Sequence, residues 1–212
     1  MIREEWAKFR VMNFAEKRWY LWEYYKLQMG GILLAIFILG SVANAILNPR
    51  PAEYLYIAWD NVPAFDIQLY ELSEGLSVIV ADPERQAVFI TDYTVRGNRQ
   101  FDDNMRMRFI AMLQMGAIDA LITNGEGIQA AFDVEDGRVV IGNLDRVLEY
   151  TDIEVNERFV FYRGQVMAVS LYGSPILENF GIDSSDAYFC IIVNSRRPRE
   201  VAAALEVFLY GS

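Results

Sequence analysis

The 212-residue chain, 53% apolar, is long enough for one folded domain with an appendage. Its formal charge of −10 is split unevenly: residues 1–26 carry six Lys/Arg against four Glu, the remainder carries 13 Arg against 25 Asp/Glu, and no Lys follows Lys26. An acidic body excludes nucleic acid as a partner, because phosphates need a basic surface, and the absence of His excludes zinc sites and Ser-His-Asp or Cys-His catalysis.

In chain order, the first feature is "WYLWEYYK", where Trp19, Tyr20, Trp22, Tyr24, Tyr25 and Lys26 crowd together before an apolar run. Between Lys26 and Arg50 lie 23 uncharged residues, with Ile32–Leu39 fully apolar. As a helix such a run reaches about 34 Å, enough for a hydrocarbon core of about 30 Å. Residues 27–49 are therefore expected to form one transmembrane helix. The amphipathic rings before it mark the headgroup level of one interface. Basic residues precede the span and only Arg50 closely follows it, so 1–26 are expected in the cytoplasm and 50–212 outside the cell membrane. "ANA" (Ala43–Ala45) leaves open a cleaved signal peptide, although a long n-region with four Glu speaks for a retained anchor. A buried core helix is the other alternative, but it would leave the aromatic and basic flank unexplained. A weak interfacial helix over 4–26 and a helix-contact face at Gly31 and Ala35 are further readings.

Beyond Pro49 and Pro51, which should stop the helix, strand and helix patterns alternate. Strands are expected at 54–60, 87–95, 118–123, within 159–172 around a turn at 163–165, and in "DAYFCIIVNS". Helices are expected at 66–80, at 102–116 with an Asp cap and a Gly stop, from "GEGIQAAF", and from "NLDRVLEY" behind an Asn cap. Two more follow, from "SPILENFG" behind a Ser cap and from "PREVAAALEVFLY". This alternation predicts an α/β domain with a mostly parallel sheet flanked by helices. The lone Cys190, inside "YFCIIV", reads as a small buried hydrophobe.

"FIAMLQMGAIDALITNGEGIQAAFDVEDGRVVIGNLDRVL" resembles a stretch of type II periplasmic, or extracellular, solute-binding proteins. There a helix ends in Gly (Phe109–Gly116 here), a short strand with an Asp follows (Asp119–Thr123), a loop leads into a helix (Asn124–Phe132), and a Leu-Asp segment comes next (Leu144–Asp145). "DAYFCIIVNSRRPREVAAALEVFLYG" resembles the closing strand and helix of that fold. The whole chain is similar to small single-pass membrane proteins of Gram-positive bacteria that carry a shortened domain of this kind. The resemblance implies a single solute-binding-protein-like lobe over roughly 54–210. About 160 residues remain after the anchor, room for one lobe and not for the second wall of a closing cleft.

In such a sheet, ligands sit outside the carboxyl ends of parallel strands. The candidate ligand-binding residues are therefore Asp60, Asn61, Asp92, Thr94, Thr123, Asn124, Gly125 and Gly127. "TNGEG" also reads as a plain strand-to-helix turn. Arg196, Arg197 and Arg199 in "SRRPR" would contact an anion or an acidic partner, or form a solvated loop. The carboxylate groups Asp102/Asp103, Asp133–Asp136 and Asp183–Asp186 read as caps and turns rather than glycosidase acids or calcium ligands. Ser174 in "GSP" lacks the pattern of a nucleophile and reads as a cap.

The expected function is non-enzymatic: an accessory or sensing module contacting another membrane or envelope protein through its sheet edge or strand-end face. The alternative is a small-molecule (solute) binding domain. A carboxylate hydrolase using Asp92 or Asp119 is a distant third. No cofactor and no metal is expected.

Overall fold

The structure is a computed structural model that describes residues 10–47, 51–83, 85–94, 99–132 and 140–211. Two compact units divide the chain, Met1–Arg50 and Pro51–Ser212.

In the first unit, helix α1 (Phe14–Leu47) is continuous over 34 residues, so the aromatic flank belongs to the same helix as the apolar run. Glu16, at the third helical position, accepts a hydrogen bond from the Asn13 N–H (2.9 Å) and caps its start. Lys26–Leu47 is long and apolar enough to cross a membrane, and none of it is buried within the protein. Trp19, Trp22 and Lys26 are exposed along α1; the side chains of Tyr20, Tyr24 and Tyr25 lie outside the described residues. The expected helix stop at Pro49 lies outside them too.

The second unit is α/β. Strand β1 (Ala52–Trp59) leads to α2 (Asp66–Val80), β2 (Gln86–Asp92), α3 (Arg99–Met115), β3 (Ala120–Thr123) and α4 (Gly125–Phe132). After α4 come α5 (Asp145–Leu148), β4 (Phe159–Tyr162), β5 (Gln165–Ser170), α6 (Pro175–Asn179), β6 (Tyr188–Ile191) and α7 (Pro198–Tyr210). Helix α3 begins at Arg99, ahead of Asp102, so Asp102 is not its cap. Asn143 does act at the start of α5, accepting from the Asp145 N–H (2.9 Å). Ser174 caps α6, accepting from Leu177 N–H (3.5 Å) and donating to the Phe208 carbonyl (2.6 Å).

The six strands form one sheet in the order β2-β1-β3-β6-β5-β4. This corrects the expectation of a mostly parallel sheet. β1 runs parallel to β2 and β3, but β3–β6, β6–β5 and β5–β4 are antiparallel. Strands and helices alternate strictly only as far as α4. Beyond it, β4 and β5 are separated by Arg163 and Gly164 alone, and only antiparallel strands can be joined so tightly. Both residues have positive φ (51° and 80°), as a two-residue hairpin turn of the I′ kind requires.

Helices cover both faces. Leu69, Leu72 and Leu76 of α2, Ile176 and Leu177 of α6, and Val201, Leu205 and Phe208 of α7 pack on Leu55, Ile57, Trp59, Ile122 and Phe189. On the other face, Met105, Phe109 and Met112 of α3 and Ile128 of α4 pack on Tyr56, Ala58, Leu121 and Cys190. Cys190 is fully buried, as expected of a small hydrophobe, and its burial pushes the thiol pKa up. β1 is buried on both faces from Leu55 to Trp59, which is why "LYIAW" shows no alternation.

Trp59 is fully buried and its indole N–H donates to the Val62 carbonyl (2.8 Å). Trp59→Ala is expected to destabilise the second unit by about 3–5 kcal/mol, the usual cost of emptying a large core site. Denaturant unfolding of the detergent-solubilised protein, followed by near-ultraviolet circular dichroism, measures it.

Candidate functional site

Because β2, β1 and β3 are parallel, their carboxyl ends share one rim. All eight candidate ligand-binding residues fall on it. Asp60 and Asn61 follow β1, Asp92 ends β2 with Thr94 just beyond, Thr123 ends β3, and Asn124, Gly125 and Gly127 open α4. Asp60 N–H donates to the Ile122 carbonyl (2.9 Å), which sets Asp60 beside Thr123 across the β1–β3 pair. Asn61 holds a left-handed backbone (φ 56°), its N–H donates to Thr94 Oγ1 (3.0 Å), and its side-chain amide donates to Asp60 Oδ2 (3.1 Å). Asp92 Oδ1 accepts from Thr94 N–H (2.8 Å). The first turns beyond β1 and β2 are thus fastened to each other.

The rim is acidic. Burial, with the charge of Asp92 adding to it, raises the pKa of Asp60 to about 6. The start of α4, whose N–H groups favour an anion, already holds a carboxylate: Asp186 Oδ1 accepts from Gly125 N–H (3.1 Å). Asn124 Oδ1 accepts from Gly127 N–H (2.9 Å). Any side chain at position 127 would collide with Thr123 Oγ1, so glycine there is a steric requirement. That hydroxyl is buried without a hydrogen-bond partner among the described residues. Of the other acidic groups, Asp183 accepts from Ser185 N–H (2.9 Å), which lowers its pKa, and Asp133–Asp136 lie outside the described residues. Among the described residues no cluster of His, Cys, Asp or Glu could hold a metal ion.

The arginines occupy the opposite rim. Arg197 Nη1 donates to Asp119 Oδ2 (2.9 Å) and Glu53 Oε1 (2.8 Å). Asp119, buried just before β3, also accepts from Tyr56 N–H (3.1 Å) and Ser195 Oγ (3.1 Å). Burial nevertheless keeps the Asp119 pKa raised, because desolvation outweighs these partners. Arg199 stacks over the Tyr150 ring (5.1 Å). "TNGEG" and "SRRPR" therefore do not form one site. Asp119 joins β1 to the start of α7, so its place is structural.

A third feature escapes sequence reading. β2 ends the sheet, and its outer edge opens on a groove of about 1000 Å³ running from Pro51 and Gln86 to Asp92 and Thr94. Tyr93 N–H donates to the Trp59 carbonyl (2.7 Å), so by strand alternation the backbone groups of Val88, Ile90 and Asp92 point outward. At Val88, α2 covers them: its N–H donates to Ser77 Oγ (2.8 Å) and its carbonyl accepts from Ser73 Oγ (2.5 Å). No described group reaches those of Ile90. Tyr70 and Val78 of α2 and Phe89 of β2 line the groove and are exposed. The far edge differs, since β4 has four residues and an irregularity between Val160 and Phe161. Two serines four apart on one helix, Ser73 and Ser77, were the available sequence signal.

The raised Asp60 pKa gives a signed prediction. The folded protein holds this proton more tightly than the unfolded chain, whose carboxyl titrates near the usual value of about 4. Stability therefore falls as pH rises from about 4 through about 6. Asp60→Asn should gain about 1–2 kcal/mol at pH 7.5, after discounting for solvent screening, and nothing near pH 3.5. Paired denaturant titrations at the two pH values test it. For the opposite rim, Arg197→Ala should cost about 2–3 kcal/mol by stranding Asp119, whereas Arg196→Ala should stay within about 0.5 kcal/mol. Thermal unfolding of the two variants side by side separates them.

No protein-family model matches the chain, and neither a curated protein nor a solved structure matches it.

Proposed function

We propose that this protein is a membrane-anchored, non-enzymatic docking module whose outer domain holds another membrane or envelope protein at the free edge of β2. One observation carries the reading: a seven-residue edge strand opens on a groove of about 1000 Å³ lined by exposed Tyr70, Val78 and Phe89. Unpaired strand edges are templates for pairing, and soluble domains ordinarily blunt them. Here the shorter edge, β4, is broken by its irregularity, while the longer one is covered at Val88 and left open at Ile90 by the described residues. In the same proposal α1 crosses the cell membrane through Lys26–Leu47, with the basic N-terminus cytoplasmic and the domain outside. The likeness to one solute-binding-protein lobe rests on the segments at 109–148 and 186–211 and remains part of the proposal.

A second reading has its own support. Asp60 and Asp92 meet on the strand-end rim beside the buried Thr123 hydroxyl, which has no partner among the described residues, a setting suited to a small polar or cationic ligand.

A photo-crosslinking amino acid at position 89 or 78 of the full-length protein, in its own membranes, tests the docking function. A discrete heavier adduct is expected from these positions and not from position 161 on the β4 edge. Adducts of equal yield from all three, or none from 89 and 78, would leave the groove without a partner.

A further inference from the structure

We propose that the outer domain touches the bilayer with the end of its sheet at which the parallel strands begin, setting Arg163 and Arg196 on anionic lipid headgroups. This rests on the reading of α1 as a membrane span and adds a second lipid contact to it.

The two ends of the sheet differ in charge. At the end where β1, β2 and β3 finish stand Asp60 and Asp92, with Asp186 on the segment that enters β6. At the other end β1, β2 and β5 begin, and β4 and β6 finish. Two connections without an acidic residue turn back there: Arg163–Gly164 between β4 and β5, and 192–197 between β6 and α7. Arg163 and Arg196 are exposed on them. The Arg163 guanidinium lies over the Tyr162 ring (5.1 Å), a stacking that leaves its edge N–H groups directed at solvent. The carboxylates of Glu53 and Asp119 at this end are already taken by Arg197, and Asp82 stands 3.9 Å from Arg85. Glu200, in the first turn of α7, is half-buried.

Apolar groups accompany the arginines. Val193 is exposed in the 192–197 connection, and Met115 is exposed where α3 ends. The two are neighbours, since a Cβ on Gly116 would lie 3.6 Å from the Asn194 carbonyl. Guanidinium forks match lipid phosphates, and exposed methyl and thioether groups beside them suit the boundary between headgroups and acyl chains.

Chain length commits the occupant. α1 stops at Leu47, and β1 begins at Ala52, at this same end of the sheet. The four residues between them reach about 18 Å at full extension. A membrane crossed by α1 is thus within covalent reach of the Arg163 and Arg196 end. The eight residues of β1 rise about 26 Å away from it, to the end that carries Asp60 and Asp92. Anionic lipids attract the first end and repel the second, so one charge pattern both seats the domain and fixes which end is down.

The test uses the full-length protein in vesicles of phosphatidylcholine, with or without one-third phosphatidylglycerol. Gln165→Cys and Ser185→Cys put a fluorophore at an exposed position on each end, and the native Cys190 is fully buried. Phosphatidylcholine with a nitroxide on its headgroup quenches whichever label comes near the lipid surface. In the anionic vesicles, quenching at 165 should exceed quenching at 185 by about twofold or more. Arg163→Gln combined with Arg196→Gln should lower it to the level seen in phosphatidylcholine alone. Salt at about 0.5 M should do the same without altering the chain. Equal quenching at the two positions, or quenching at 165 indifferent to lipid charge, to salt and to the double variant, would overturn the inference. Release of the protein by alkaline carbonate would remove the span and this inference together. Retention without selective quenching at 165 would keep the span and remove the lipid contact of the outer domain.

Discussion

The outer domain is organised by the complete enclosure of β1. From Leu55 to Trp59 this strand is buried on both faces, and both of its edges are paired, to β2 and to β3. Once a strand with no polar face must be covered by helices on two sides, the crossovers through α2 and α3 follow, and parallel neighbours follow from the crossovers. The rim that gathers Asp60, Asp92 and Thr123 is a product of that parallelism. So is the status of β2 as an edge, since no later described segment pairs with its outer side. Asp119 secures the arrangement from the other end, accepting from the β1 backbone and from Arg197 at once.

Two polar economies then shape the surface. On the strand-end rim the chain's own groups satisfy the obvious sites: Asp186 occupies the α4 start, and Asn124 and Thr94 bind the nearest amides. What remains is a carboxyl at Asp60 held part-way out of water and a buried hydroxyl at Thr123. Along β2, two serine hydroxyls substitute for a missing strand at one residue and stop there.

Much of this was legible in the order of residues. The apolar spacing of Leu69, Leu72 and Leu76 predicts α2, "SPILENFG" contains its own cap and stop, and "YFCIIV" reads as buried. The rim residues were legible as well, because strand ends are local features. Pairing partners are not local. Nothing in "YFCI" says that it meets "ALIT" antiparallel, and so the sheet was read as mostly parallel. Arg197 and Asp119 are 78 residues apart, so the ion pair that fixes the "SRRPR" loop left no trace in spacing. The β2 groove was hidden for the same reason: a strand becomes an edge only through the placement of all the others.

The position of β6 has a consequence for biosynthesis. β3 has its second partner only when Tyr188–Ile191 arrives, about 65 residues after Thr123. At ordinary elongation rates that interval lasts about 3–13 s. Throughout it the nascent domain would expose the edge of β3, which the finished sheet buries, with the apolar surface that α7 later covers still open to water. Maturation of this protein therefore contains a built-in delay, set by strand order, during which a chaperone would find its strongest substrate.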